Sequence, residues 1–131
     1  MIATDTNVLL RYILRDDEKQ FESASAFFNA RDADDPAYIS IVVLCELSWA
    51  LGQRYGYSRA EIASALRALF DTEGMRIEDE SALSTIITKA ASSADIGDLM
   101  IAHCAKRSGC VATVTFDKKA ASRIPGMELL A

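Results

Sequence analysis

Ile2-Ala3-Thr4-Asp5-Thr6-Asn7-Val8-Leu9-Leu10-Arg11-Tyr12 opens the chain with a β-prone triplet, an acid and then a helical apolar spacing. Ile2 to Thr4 predicts a short strand, and Val8, Leu9, Tyr12 and Ile13 fall on one side of a helix. Asp5 stands at the switch, where a strand hands the chain to a helix. The same pattern recurs down the sequence. A second helix is predicted over Glu18 to Asn29, with Phe21, Ala24 and Phe28 on its buried face. Asp32 to Pro36 reads as a loop, Ala37 to Ile39 as a strand, and Ser40 as the N-cap of a helix running to about Tyr55. Ser58-Arg59-Ala60-Glu61 has the form of a capping box, and Ile62, Ala65, Leu66, Leu69 and Phe70 give the helix behind it an amphipathic stripe.

Gly74 ends that helix, and Met75 to Ile77 reads as a short strand. Leu83, Ile86, Ile87, Ala90 and Ala91 repeat the helical stripe. Ser92 to Gly97 reads as a polar loop, Asp98 to Ser108 as a helix stopped by Gly109, and Val111 to Thr115 as a β-branched strand. A short helix over Lys118 to Arg123 ends at Pro125-Gly126, before a last strand in Met127 to Leu130. Strands alternating with helices imply parallel pairing with helices on both faces of the sheet. The expected fold is α/β, a three-layer α/β/α sandwich with a central parallel sheet, in a single domain over residues 1–131.

Composition narrows the function. Of 131 residues, 50% are hydrophobic and 25% charged, which suits one domain with a core. The longest notable apolar run, Ile41 to Cys45, is far below the roughly 18 residues that span a bilayer, and the N-terminus lacks signal-peptide character. A cytoplasmic protein without a membrane segment is expected. Cys45, Cys104 and Cys110 are odd in number and form no C-x-x-C, so they predict small core residues rather than disulfides or a zinc knuckle. The net charge of −5 opposes nucleic-acid binding unless some of the acids hold cations, which reverse the local field. No phosphate-binding glycine loop occurs, and the one histidine, His103, lies in an apolar helix without a nucleophile motif.

The acids are more informative. Asp5 and Asp117 each follow a predicted strand, and Asp98 starts a predicted helix. In a parallel sheet, strand C-termini and helix N-termini share one edge, where ligands bind. Glu46, inside the apolar Val42-Val43-Leu44-Cys45-Glu46-Leu47, is expected to aim back at the same rim, because helical side chains tilt toward the N-terminus. Four carboxylates without imidazole or thiolate partners suit a hard cation, Mg²⁺ or Mn²⁺, and hence phosphoryl chemistry. Each acid also has a plainer reading: Asp5 and Asp117 as helix caps, Asp98 as a first-turn acid, Glu46 as an exposed residue beside a buried stripe.

At these residues the chain resembles the PIN-domain family, in particular its VapC-type toxin ribonucleases. Ile2 to Tyr12, Val43-Leu44-Cys45-Glu46-Leu47, Asp95-Ile96-Gly97-Asp98-Leu99-Met100-Ile101-Ala102 and Thr113-Val114-Thr115-Phe116-Asp117 are similar, in order, to the four acidic motifs of that group. The resemblance implies an endoribonuclease using Mg²⁺ or Mn²⁺. Asp5, Glu46, Asp98 and Asp117 would bind the metal, with Thr6, Asn7 and Thr115 as polar support. It also implies a homodimer and a cognate antitoxin that blocks the groove. Asp95 is read as an accessory or surface acid. Arg11, Arg15, Lys118, Lys119 and Arg123 start from the same rim and are candidates for RNA phosphates, or else solvated helix faces. Two alternatives differ in class: a non-catalytic RNA- or protein-binding module, and a haloacid-dehalogenase-like phosphatase, for which Asn7 stands where a second acid is expected.

Overall fold

A computed structural model describes residues 1–131, apart from the side chains of residues 90–93. The elements run β1 (Ile2–Ala3), α1 (Thr6–Leu14), α2 (Glu18–Asn29), β2 (Ala37–Ile39), α3 (Ile41–Tyr55), α4 (Arg59–Phe70), β3 (Met75–Ile77), α5 (Glu80–Ser93), α6 (Ile96–Arg107), β4 (Thr113–Thr115), α7 (Lys118–Arg123) and β5 (Met127–Leu129). The fold class is α/β with parallel strands, as the alternation predicts. The strands pair in two groups: β1-β2-β3 form one parallel sheet and β4-β5 a second.

The helix starts are written locally. Ser40 Oγ accepts from the Val43 amide at 3.2 Å and opens α3. Ser58 and Glu61 form a reciprocal capping box at α4, with bonds of 3.1 and 3.0 Å. The chain turns left-handed at Gly56 after α3, with φ 69°. Two boundaries move from the sequence reading. Helix α5 continues through Ser93, so only Ala94 and Asp95 separate it from α6, which starts at Ile96 rather than Asp98. The loop expected over Ser92 to Gly97 is therefore a two-residue link. Its cause is the Asp95 side chain, which accepts from the Asp98 amide and caps α6, so that the helix starts two residues earlier than expected.

The main core lies between the three-stranded sheet and α1 to α6. Leu9, Ile39, Leu44, Leu47, Leu51, Leu66 and Leu83 are almost wholly buried. Each such side chain contributes on the order of 1.5–3 kcal/mol relative to its exposed state. Leu83 and Ile87 form the buried stripe of α5, and the expected Ala90 and Ala91 lie outside the described side chains. A smaller cluster of Ala94, Ala120, Ile124 and Met127 packs on Leu99 and Ala102, seating α7 and β5 against α6. Cys45 and Cys104 are half-buried, but Cys110 is exposed, correcting its expected core role. It follows the Gly109 stop, where the chain has already left the helix. Burial pushes the Cys45 thiol up to about 11, with Cys104 and Asp95 adding to the effect.

Gly74 joins α4 to β3 with φ 80°, and a Cβ there would lie 2.7 Å from the Arg31 carbonyl oxygen. Its own carbonyl accepts from the Ala37 amide at the start of the β2–β3 pairing. Gly74→Ala is expected to destabilise the protein by about 1–3 kcal/mol through backbone strain, read as a lower urea midpoint at constant slope.

Asp79 is the N-cap position of α5, yet makes no capping bond. Its carboxylate instead accepts from Arg107 and contacts His103 Nε2 at 3.1 Å, both on α6. His103 is thereby accounted for as a structural residue. The His103 and Arg107 contacts hold the Asp79 carboxyl below its ordinary value of 3.8. A carboxylate with a depressed folded pKa stabilises above its unfolded value, and that contribution is lost as pH falls through the folded value. Asp79→Asn is accordingly expected to lower Tm at pH 7, with the difference from wild type shrinking below about pH 4, measured by thermal melts across pH.

Candidate active site

Each rim acid is placed by the start of a helix. Asp5 caps α1, its carboxylate accepting from the Thr6 amide at 2.7 Å. Asp117 caps α7, accepting from the amides of Lys119 and Ala120 at 2.9 and 3.0 Å. Asp98 lies in the first turn of α6 behind the Asp95 cap. The plain capping readings are therefore correct for Asp5 and Asp117. They do not exclude a second role, since a carboxylate that accepts one or two amides keeps further lone pairs.

Asp95, Asp98 and Asp117 line one recess of about 170 Å³, together with Arg59, Lys119 and Arg123. Burial, followed by the charges of Asp95 and Asp117, raises the Asp98 carboxyl above its ordinary value, while Arg59 opposes the rise. Asp98 is thus a half-buried acid facing two others, in an environment built to attract positive charge. Asp95, expected to be accessory, is part of this group. Arg59 was not signalled at all by the sequence, because it reaches the recess from the capping-box turn of α4.

Asp5 and Glu46 lie outside that recess. Asp5 lines a separate groove of about 540 Å³ with Asn7 and Arg11, between β1, α1 and α2. Glu46 is exposed on the outer face of α3, in line with Val42 and Trp49. The plainer reading of Glu46, an exposed residue beside a buried stripe, holds: Leu44 and Leu47 turn inward and Glu46 turns out. Thr6 is buried and Asn7 exposed. Thr115 Oγ1 accepts from the Asp117 amide at 3.0 Å, so it steadies that acid's backbone rather than its carboxylate. Arg11 pairs with Asp16 at 2.7 Å and donates to Tyr55, and Arg15 lies over the Phe21 ring at 4.3 Å. Lys118 and Lys119 are exposed on α7.

The PIN-domain family profile matches residues 2–126. The chain belongs to the PIN-domain family. No curated protein and no solved structure matches it. PIN domains are generally nucleases, so membership supports hydrolysis of nucleic acid and sets aside the dehalogenase-like phosphatase. PIN nucleases usually use divalent metals, and the oxygen-only donors of this PIN domain have the right chemistry for Mg²⁺ or Mn²⁺. Among the described residues, no group of three or more His, Cys, Asp or Glu side chains is positioned to hold a metal. Beside Asp5, the Thr4 hydroxyl is buried and has no hydrogen-bond partner. Leaving a buried hydroxyl unsatisfied costs about 1–3 kcal/mol. No helix among the described residues is long and apolar enough to cross a membrane.

Proposed function

We propose that this PIN domain is an endoribonuclease dependent on Mg²⁺ or Mn²⁺, acting as the toxin of a toxin–antitoxin pair. The observation that carries the nuclease reading is the Asp95–Asp98–Asp117 recess, flanked by Arg59, Lys119 and Arg123, in a chain of the PIN family. Basic side chains at the mouth offset the net charge of −5 where a phosphodiester would approach. Asp98 and Asp117, with Asp5 and Glu46, are the proposed catalytic and metal-binding acids. Thr6, Asn7 and Thr115 are the proposed polar support, and Arg11, Arg15, Lys118 and Lys119 the proposed RNA contacts. The toxin role, the antitoxin and the homodimer come from the motif resemblance. Trp49, 60% exposed on α3, offers apolar surface for such contacts.

The test is cleavage of structured RNA with Mg²⁺ or Mn²⁺, with and without EDTA, comparing wild type with Asp5→Asn and Asp98→Asn. The proposal expects wild-type cutting that EDTA abolishes, with both variants impaired. Equal cutting by all three proteins would reject the acid assignment. RNA binding that survives EDTA without turnover would favour the non-catalytic module instead.

A further inference from the structure

We propose that an unpaired RNA strand leaves the Asp95–Asp98–Asp117 recess over Arg123 and continues in the cleft beside α6, where Lys106 and Lys89 hold its phosphates. This names the form of the substrate for the site described above and rests on the nuclease reading for the cut itself; the strand path rests on the shape and charge of the cleft.

The cleft, of about 620 Å³, lies between α5, α6 and the loops that lead into β4 and β5. Lys89, Lys106 and Arg123 line it, and among the described residues no aspartate or glutamate does. The chain as a whole has 19 acids against 14 lysines and arginines, so the cleft reverses the sign of the net charge. A cleft lined by one sign of charge focuses its field and concentrates ligands of the other sign.

These cations are also open to a ligand. Arg107, next to Lys106 on α6, is tied to Glu78 and Asp79. Lys106 and Arg123 are exposed and form no ion pair among the described residues. In this they differ from Arg11, which is paired with Asp16, and from Arg15, which lies over the Phe21 ring. A cation held off its neighbouring carboxylates keeps its donors for phosphate oxygens.

Continuity with the recess favours RNA as the occupant. Ala94, Arg123 and Ile124 line both cavities, so the recess and the cleft meet at these residues. Helix α6 joins them as well. Asp95, Leu99, Ala102 and Lys106 succeed one another at i, i+4, i+7 and i+11, one stripe that runs from the acidic end of the helix to its basic end. Eight residues separate Lys106 from Asp98, a rise of about 12 Å along the helix. A strand with one phosphodiester at the acids therefore meets a basic track that starts at Arg123 and extends to Lys106. An acidic peptide would complement the cleft, but nothing in its chemistry calls for a junction with three carboxylates.

The floor of the cleft selects an unpaired strand. Ile86, Leu99, Ala102 and Pro125 give it an apolar lining beside the cations. An unpaired strand can turn its bases to that floor and its phosphates to the lysines, whereas a duplex keeps its bases stacked inside. No aromatic ring lines the cleft, so base stacking on the protein is absent there and the path is expected to be tolerant of sequence.

The test measures binding by fluorescence anisotropy in the Asp98→Asn protein with Mg²⁺, where slow cleavage keeps the RNA whole. The probes are a labelled unpaired decanucleotide and the same strand in a duplex. Lys106→Gln is expected to weaken binding of the unpaired strand several-fold and to lower the slope of log K against log salt by about 0.7, the share of one phosphate contact on a single strand. Adding Lys89→Gln brings the loss of slope to about 1.4. Lys19→Gln, the same charge change on the exposed face of α2, leaves the slope unaltered. An unchanged slope in both cleft variants, or an equal loss with Lys19→Gln, overturns the proposal, as does failure to bind the unpaired strand.

Cys110 supplies a native probe, because it is exposed and lines the cleft. Its alkylation is expected to slow several-fold in the presence of the unpaired strand. Equal protection by the duplex overturns the choice of an unpaired strand. Protection by a glutamate-rich peptide and not by RNA assigns the cleft to a protein and overturns the path. If the wild type fails to cut RNA while the slope and the protection behave as expected, the nuclease reading falls and the strand path stands.

Discussion

Asp98→Asn is expected to reduce RNA cleavage by about 10²–10³-fold, the size seen when one group acting on transition-state charge is removed. The substitution keeps shape and a hydrogen-bonding side chain while deleting a single negative charge. Asp98 is the acid that faces both Asp95 and Asp117, and its ionised form is opposed by burial and by those neighbours. Removing the charge relieves that repulsion, so Tm should stay level or rise while activity falls. This opposite movement distinguishes a functional acid from a structural one, whose loss lowers both. Asp95→Asn separates capping from charge: asparagine caps a helix as well as aspartate, so α6 keeps its start while the recess loses a carboxylate. Single-turnover cleavage and thermal melts on the same preparations check the pair. An Asp98→Asn protein that cuts at the wild-type rate would remove Asp98 from the site.

Leu44→Ala is expected to cost about 2–5 kcal/mol of stability, with Tm lower by roughly 10 °C. Leu44 is fully buried in α3, in the core shared with β2, α1 and α6. Its truncation removes favourable transfer energy and leaves a cavity that the surrounding leucines fill only in part. Burying Leu44 and Leu47 also sets Glu46 on the opposite face of α3. Chemical denaturation measures the loss. A change below about 1 kcal/mol would mean that the core around α3 is far more plastic than its packing shows.

Much of the fold was legible in local pattern. The apolar spacing of Ile62, Leu66 and Leu69 gives α4, and Ser58 with Glu61 starts it, in the sequence as in the structure. Helices and caps are settled by contacts three or four residues apart, which a linear chain displays. The same logic located Asp5, Asp98 and Asp117 at strand ends and helix starts. It failed at Glu46, because a helix with apolar residues on most sides does not announce which narrow stripe faces solvent. It also failed at Asp95, where two acids three residues apart compete to cap α6 and only the link from α5 decides which one does.

Taken alone, the sequence determined the succession of elements, their parallel sense and the caps that place acids at element junctions, since each depends on neighbours along the chain. Only the tertiary structure decided that Asp98 and Asp117 share a recess with Arg59 while Asp5 faces a different groove, and that β1 and β4 are not partners within one chain. Strand pairing here joins Ile2 to Ala37 and Ala37 to Met75, tens of positions apart, and no local interaction specifies which edge a strand will meet.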